Sequence, residues 1–306
     1  MIKTWSTSVR EEEKTLVPCN LCGKEKFRKA LHCEGFSYVR CNYCNLVQIN
    51  PQPHESEIQK RYGEDYLNYE LGNEEVFLQL QLLALKDAGF YEIEKELLEK
   101  EPSDNASADN TSVDNASADN ASADNRPKVL DIGSALGTLL AKLRDNGWHS
   151  TGVEISEAQA EYSRSRFKLD IHTLKLSDNN FPDEQFNVIL ASHLIEHLND
   201  PSAFLGEAFR ILSPGGYIFI TTPNISGLQA KLFKNKWRSA IFDHLYLFSK
   251  KNLSSLLVKN GFKVERISTW GGLAKGAGPA FLKRFLDKAA KKHGFGDVMI
   301  IRAKKI

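Results

Sequence analysis

The chain has 306 residues, with 40 Lys+Arg against 39 Asp+Glu and a formal net charge of +1. That balance excludes bulk attraction to nucleic acid, and the length fits two domains or one large domain with an appendage. No apolar run is long enough to cross a bilayer, and the first residues lack the apolar core of a secretory signal. A cytoplasmic, reducing setting is therefore expected, and five cysteines there are not read as a disulfide framework.

Near the start, Cys19-x2-Cys22 and Cys41-x2-Cys44 stand eighteen residues apart. Two such knuckles can present four thiolates tetrahedrally, the arrangement of a structural zinc ribbon with no open position for a reacting water. Gly23 and Asn45 follow the knuckles and suit turns that aim backbone N–H groups at sulfur, whereas Cys33 lies outside the pattern. Residues 36–53 alternate like a hairpin, so residues 1–54 are expected to form the ribbon. A charged, helical lead-in follows over 55–102, with apolar positions at Val76, Phe77, Leu80, Leu83, Ala84 and Leu85 and tyrosines at 62, 66 and 69. Residues 103–126 hold a tandem pentad (DNASA, DNTSV, DNASA, DNASA, DN) with almost nothing to bury, expected to be a disordered insert without a catalytic role.

The organising stretch is Val129-Leu130-Asp131-Ile132-Gly133-Ser134-Ala135-Leu136-Gly137. It reads as a short buried strand, a glycine-bearing turn and the first turn of a helix, leaving room for a ligand against main-chain N–H groups. A dinucleotide turn would want small residues, mostly glycine, at 133, 135 and 138; Gly, Ala and Thr stand there and the template fails twice. About one βα unit later, Thr151-Gly152-Val153-Glu154-Ile155 ends a second strand in an acid placed to accept both hydroxyls of a ribose. Together these stretches resemble motif I and the following acid of the class I S-adenosylmethionine (SAM) methyltransferases, with Ala135 where the family often has a third glycine. The resemblance implies that Asp131, Gly133, Ser134, Ala135 and Gly137 hold the methionine end of SAM, that Glu154 meets the ribose, and that Ile155 belongs to the cofactor site. It also places Leu176, in the loop after a strand at 171–174, beside the adenine.

Further on, Phe181-Pro182-Asp183-Glu184-Gln185-Phe186-Asn187-Val188-Ile189, followed by His193-Leu194-Ile195-Glu196-His197-Leu198, resembles a segment of small-molecule enzymes of this class, including ubiquinone O-methyltransferases. Ser192 and His193 fall at a strand's carboxyl end, where open α/β sheets bind ligands, so both are assigned to the cofactor site. An imidazole at 193 can also take a proton from an acceptor hydroxyl, and one helical turn returns Glu196 and His197 toward it. Ubiquinone-type relatives carry an acid at the place of His193, and the exchange to imidazole disfavours a hard metal ion. The Leu212–Asn224 stretch (LSPGGYIFITTPN) resembles the family's Pro-Gly-Gly turn and fifth strand, and Asp243–Ser249 (DHLYLFS) its lead into the next helix; His244 there is the rival base. The ribbon itself resembles those found ahead of this fold in many bacterial proteins.

The resemblance implies a Rossmann-like α/β fold over 127–306, with a seven-stranded, mostly parallel sheet. It also implies a methyltransferase with SAM as cofactor, structural Zn²⁺ on Cys19, Cys22, Cys41 and Cys44, and His193, His197 or His244 at the acceptor. From Gly227 onward there are 18 Lys+Arg and 4 Asp+Glu. This basic, amphipathic last quarter suits an anionic, sugar-type or lipid-linked acceptor, or peripheral contact with a membrane. RNA methylation with the ribbon as grip, and SAM binding without turnover, are the alternative readings. Neither the acceptor nor the oligomeric state is legible from these residues.

Overall fold

The structure is a computed structural model that describes residues 14–33, 35–54, 64–99, 125–273 and 279–306. The pentad insert, Tyr62 and the first thirteen residues lie outside the described residues. Five short strands come first: β1 (Lys14–Thr15), β2 (Phe27–Cys33), β3 (Phe36–Cys41), β4 (Val47–Ile49) and β5 (Gln52–Pro53). β2, β3 and β4 form an antiparallel meander, and β1 pairs with β5.

The lead-in is two helices, α1 (Glu64–Ala88) and α2 (Phe90–Glu99), broken at Gly89, whose φ of 78° ends the first helix. Its expected apolar face divides. Ala84 and Leu85 are buried, while Val76, Leu80 and Leu83 face outward because only the last turns of α1 reach the sheet. Phe90 then stacks on Trp148 at 5.6 Å and meets Phe219 edge-on, and Trp148 donates its Nε1–H to Glu94, which fastens α2 to the core.

The rest alternates as the fold requires. In chain order come β6 (Lys128–Ile132), α3 (Thr138–Asp145), β7 (His149–Val153), α4 (Glu157–Phe167), β8 (Asp170–His172) and β9 (Phe186–Ser192). Next are α5 (Pro201–Ile211), β10 (Leu212–Pro223), α6 (Leu228–Phe233), β11 (Tyr246–Leu247) and α7 (Lys250–Lys259). The chain closes with β12 (Phe262–Trp270), α8 (Ala280–His293) and β13 (Val298–Lys305). The seven-stranded sheet has the order β12-β13-β10-β9-β6-β7-β8. It is parallel from β10 to β8, while β13 runs antiparallel to both neighbours. Strand order reverses between β6 and β9, which makes their carboxyl ends the natural ligand edge.

Two local features differ from the sequence reading. Pro214-Gly215-Gly216 sits inside β10, at a register shift between Leu212 and Tyr217, and no separate turn precedes the strand. After His193 the chain makes a single 3₁₀ turn, Ile195–His197, before the helix α5.

The ribbon is bound to the rest by backbone. β11 pairs antiparallel with β4, Tyr246 opposite Gln48 and Leu247 opposite Val47, and so becomes the fourth strand of the ribbon sheet. The fully buried Tyr38 hydroxyl lies 2.8 Å from the carbonyls of both Ile241 and His244, and Asn252 donates to the Cys44 carbonyl at 2.8 Å. One hydrophobic core runs from Leu21, Tyr38 and Val47 through Phe248 and Leu253 to the sheet. Among the described residues no helix is long and apolar enough to cross a membrane.

Gly137 fixes the start of α3. Its φ is 73°, and an added Cβ would stand 2.8 Å from Leu169 Cδ1 and Ser163 Oγ. Gly137→Ala should therefore destabilise the chain by about 2–4 kcal/mol, from left-handed strain plus overpacking. Denaturant unfolding monitored by tryptophan fluorescence measures it, and an unchanged midpoint contradicts this packing.

Candidate active site

The corner after β6 is built from strained backbone held by β7. The N–H groups of Gly133 and Ser134 both donate to the Val153 carbonyl, at 2.8 and 3.2 Å. Gly133, Ala135 and Gly137 all have positive φ, and Ala135 carries a real cost at 47° because it has a Cβ. Glu154, nearly fully buried, accepts from the Ala135 N–H through Oε2 at 2.9 Å and from the Ser156 N–H through Oε1 at 2.8 Å. Each carboxylate oxygen keeps one lone pair for a ligand hydroxyl. Burial raises the Glu154 carboxyl even though those two N–H groups pull it down.

Asp131, at the end of β6, is buried, and its Oδ1 has no hydrogen-bond partner among the described residues. Burial first, and the nearby Glu154 carboxylate second, push its carboxyl up to about 8. A buried acid held in this way is under-satisfied until a cation or an N–H donor arrives. Beyond Glu154, a recess is lined by the exposed Ile155 and by Glu157, Leu174, Lys175 and Asp178. Leu176 is buried beneath it in a 3₁₀ turn, so Leu174 and Asp178 reach the recess and the sequence reading missed them. Their signal was weak, for they fall in an irregular loop without period.

On the other side of β6, His193 continues from Ser192 with φ 52°, a second strained non-glycine residue at the carboxyl edge of the sheet. Its N–H donates to the Thr221 carbonyl, which pins the bend, and Leu194 next to it packs over Gly133. His193 Nδ1 lies 3.3 Å from Glu196 Oε1 and the ring is half-exposed. Burial would raise the Glu196 carboxyl, but the His193 hydrogen bond and the charges of His193, His197 and His244 hold it down to about 2. Glu196 Oε2 and His197 Nδ1 are buried without partners among the described residues.

His244 arrives from the ribbon side. Its ring meets that of His197 edge-on at 4.8 Å, and Nδ1 faces the Ser239 carbonyl at 2.8 Å, which fixes the Nδ1–H tautomer and leaves Nε2 an acceptor. Burial, with His197 adding to it, pushes the ring down to about 3, so His244 is neutral at physiological pH. Glu196, His197 and His244 bring ligand atoms within 4.8 Å of one another. Glu70 on α1 stands within electrostatic reach of both Glu154 and His193, its carboxyl raised chiefly by burial and lowered by the Tyr66 hydroxyl. In sequence it is one acid among many on a charged helix, with nothing to distinguish it. Asn224 is absorbed structurally: its side chain donates to the Gly296 carbonyl and accepts from the Ser226 N–H.

In the ribbon, all four Sγ atoms of Cys19, Cys22, Cys41 and Cys44 lie within 4.8 Å of one another, with Cys19–Cys44 at 3.3 Å and Cys22–Cys41 at 3.5 Å. A tetrahedral zinc–thiolate centre needs edges of about 3.8 Å. Gly23 and Asn45 take left-handed conformations after their knuckles, and the Tyr43 N–H points at Cys41 Sγ. Burial acts to raise the Cys41 thiol, yet those N–H donors and the neighbouring thiols bring it down to about 7. The site thus fits a thiophilic ion. Cys33 stays outside it, with Sγ against the carbonyls of Asn235 and Ala240.

A family profile described as "Methyltransferase domain" matches residues 95–267. A Mycolicibacterium smegmatis protein described as "Probable S-adenosylmethionine-dependent methyltransferase" is 30% identical over 157 residues, which cover 50% of this chain and 58% of that protein. A ubiquinone biosynthesis O-methyltransferase of Pseudomonas entomophila is 29% identical over 103 residues, covering 32% of this chain and 44% of that one. The chain thus spans about half the length of the curated relatives it matches. Among solved structures, a SAM-dependent methyltransferase from Archaeoglobus fulgidus aligns with a TM-score of 0.45 at 22% identity, covering 59% of this chain and 86% of that one. The profile match takes in more than half of the residues, and the chain belongs to the methyltransferase-domain family.

Proposed function

We propose that the protein transfers the methyl group of SAM to a small-molecule acceptor, an oxygen of an anionic, sugar-type or lipid-linked metabolite. The observation that carries this reading is the pairing of the left-handed corner at 133–137 with two buried carboxylates, Asp131 with an open oxygen and Glu154 pre-aimed by two N–H donors. Asp131, Gly133, Ser134, Ala135 and Gly137 hold the amino-acid end of the cofactor. Glu154 accepts its ribose hydroxyls, Ile155 and the buried Leu176 shape the nucleoside recess, and Ser192 and His193 close the pocket from β9. Bound SAM supplies an electrophilic methyl on a positively charged sulfur, and its leaving thioether is neutral and needs no acid.

The chain's own part is positioning and one proton. With Nδ1–H donated to Glu196, His193 presents Nε2 to the acceptor hydroxyl. The proton moves from oxygen to Nε2 as the oxygen–methyl bond forms, and the ionised Glu196 stabilises the resulting imidazolium. His244, neutral and oriented by Ser239, accepts a second hydrogen bond and orients the acceptor, with His197 packed against it. The relatives named for ubiquinone O-methylation support oxygen as the nucleophile. Structural Zn²⁺ on the four thiolates supports the edge from which His244 projects. The ribbon's β4 edge is spent on β11, which weighs against the ribbon as a grip for RNA. The setting we infer is cytoplasmic. Incubation with labelled SAM and fractionated extract tests the reading: label in a low-molecular-weight fraction supports it, whereas binding without transfer to any fraction makes the chain a non-catalytic SAM-binding protein.

Asp131→Asn should weaken SAM binding about 10- to 100-fold by calorimetry, the worth of one charge-assisted hydrogen bond. The same change should stabilise the ligand-free protein. A carboxyl raised from about 4 in the unfolded chain to about 8 contributes stability that is intact below pH 4 and lost as pH rises through 8. The thermal midpoint of the Asn variant should therefore gain on the parent from pH 5 to pH 8. His193→Gln should lower turnover by about 10²–10⁴-fold while SAM affinity stays within threefold; a parallel loss of SAM affinity would place His193 in the cofactor site only. Metal analysis should find one zinc per chain. Cys41→Ala should abolish it and cost on the order of 4 kcal/mol, a drop of about 10 °C in the thermal midpoint.

A further inference from the structure

α8 is an addition to the sheet's antiparallel end, inserted between β12 and β13 at the edge where β6, β7, β9 and β10 also finish. It presents Phe281 and Phe285, 69% and 67% exposed, at a spacing of four residues and therefore on one face. Arg284, Lys288 and Lys292 extend the same face, and among the described residues none of them has an ionic partner. Asp287, the acid of this helix, is occupied by Lys283 and by the N–H groups of Gly272 and Leu273.

The neighbouring α6 repeats the pattern, with Leu232 and Phe233 exposed beside Lys231, Lys234 and Lys236. Its Leu228 N–H donates to the Phe295 carbonyl just beyond α8, and Gln229 holds the Gly271 carbonyl next to the residues that α8 caps through Asp287. The two helices are thus neighbours at the ligand edge, each with large apolar side chains raised into water and cations alongside. Such groups gain little from remaining hydrated, and a surface with apolar depth behind fixed negative charge satisfies both at once.

We propose that α6 and α8 form a docking face for an anionic lipid bilayer, with Phe281 and Phe285 inserted among the acyl chains and the lysines and Arg284 at the phosphate level. RNA fits less well, because the raised aliphatic Leu232 and Leu282 gain nothing from a phosphate backbone and the whole chain is close to neutral. The face does not depend on methyl transfer. It lies at the sheet edge where β6 and β9 also end.

The test is flotation of the full zinc-loaded chain with vesicles of phosphatidylcholine alone or with 30% phosphatidylglycerol. The expected result is at least tenfold stronger partition to the anionic vesicles, reduced by 0.5 M salt, and at least tenfold weaker partition for Phe281→Ser/Phe285→Ser. Circular dichroism and SAM calorimetry on that variant should match the parent, since both side chains are exposed. Equal binding to neutral vesicles, an unaffected variant, tighter salt-sensitive binding to single-stranded RNA, or self-association in solution that the double variant abolishes would each overturn the proposal.

Discussion

A two-residue backbone pairing, β4 against β11, carries much of the organisation of this molecule. It converts the ribbon from an appendage into a wall of the ligand edge. On one side of residues 235–247 stand Tyr38, Cys33 and the β4 ladder. On the other stand His197 and Glu196, meeting His244. A segment with so little regular structure keeps its shape because its carbonyls are bonded from the ribbon and its apolar residues, Leu245 and Leu247, share the ribbon's core. The four-cysteine cluster is therefore tied to the position of His244 through backbone geometry.

The two halves of the pocket solve different electrostatic problems. On the Asp131 side, burial and the neighbouring Glu154 carboxylate together raise the cost of ionising Asp131, while Glu154 is raised by burial and eased by two N–H donors. On the His193 side, one ionised carboxylate, Glu196, sits among three imidazoles and His244 is kept neutral. Two of the left-handed non-glycine residues, Ala135 and His193, lie at this carboxyl edge of the sheet. Residues outside the glycine class hold such conformations only where surrounding bonds over-determine them, and the Val153, Glu154 and Thr221 bonds do so here.

What was legible from residues alone was what is local. The glycine spacing at 133 and 137, the acid at 154 and the paired cysteine knuckles are short-range patterns whose geometry follows from backbone rules, whereas the seven-stranded, mostly parallel sheet was implied by the family resemblance those patterns carry. The outward turn of Val76, Leu80 and Leu83 was not legible, because a helical stripe does not announce how far along its length the core extends. Nor was the role of Tyr38 or Glu70, whose partners lie more than a hundred residues away or across a pocket, and a strand as short as Tyr246–Leu247 has no period to detect. His244 could be nominated from a local resemblance, but its meeting with His197 depends on that invisible strand.

The same pairing sets an order of assembly. Gln48 leaves the ribosome about 200 residues before Tyr246, its ladder partner. At about 5–20 residues per second, the open rim of β4 waits on the order of ten seconds or more for its native neighbour. During that interval a bare strand end is a template for any passing chain. Such a long loop closure also makes the β4–β11 pairing among the slowest parts of the protein to form, so the nascent chain spends its most vulnerable time with its cysteine knuckles shaped and the His244 segment not yet in place.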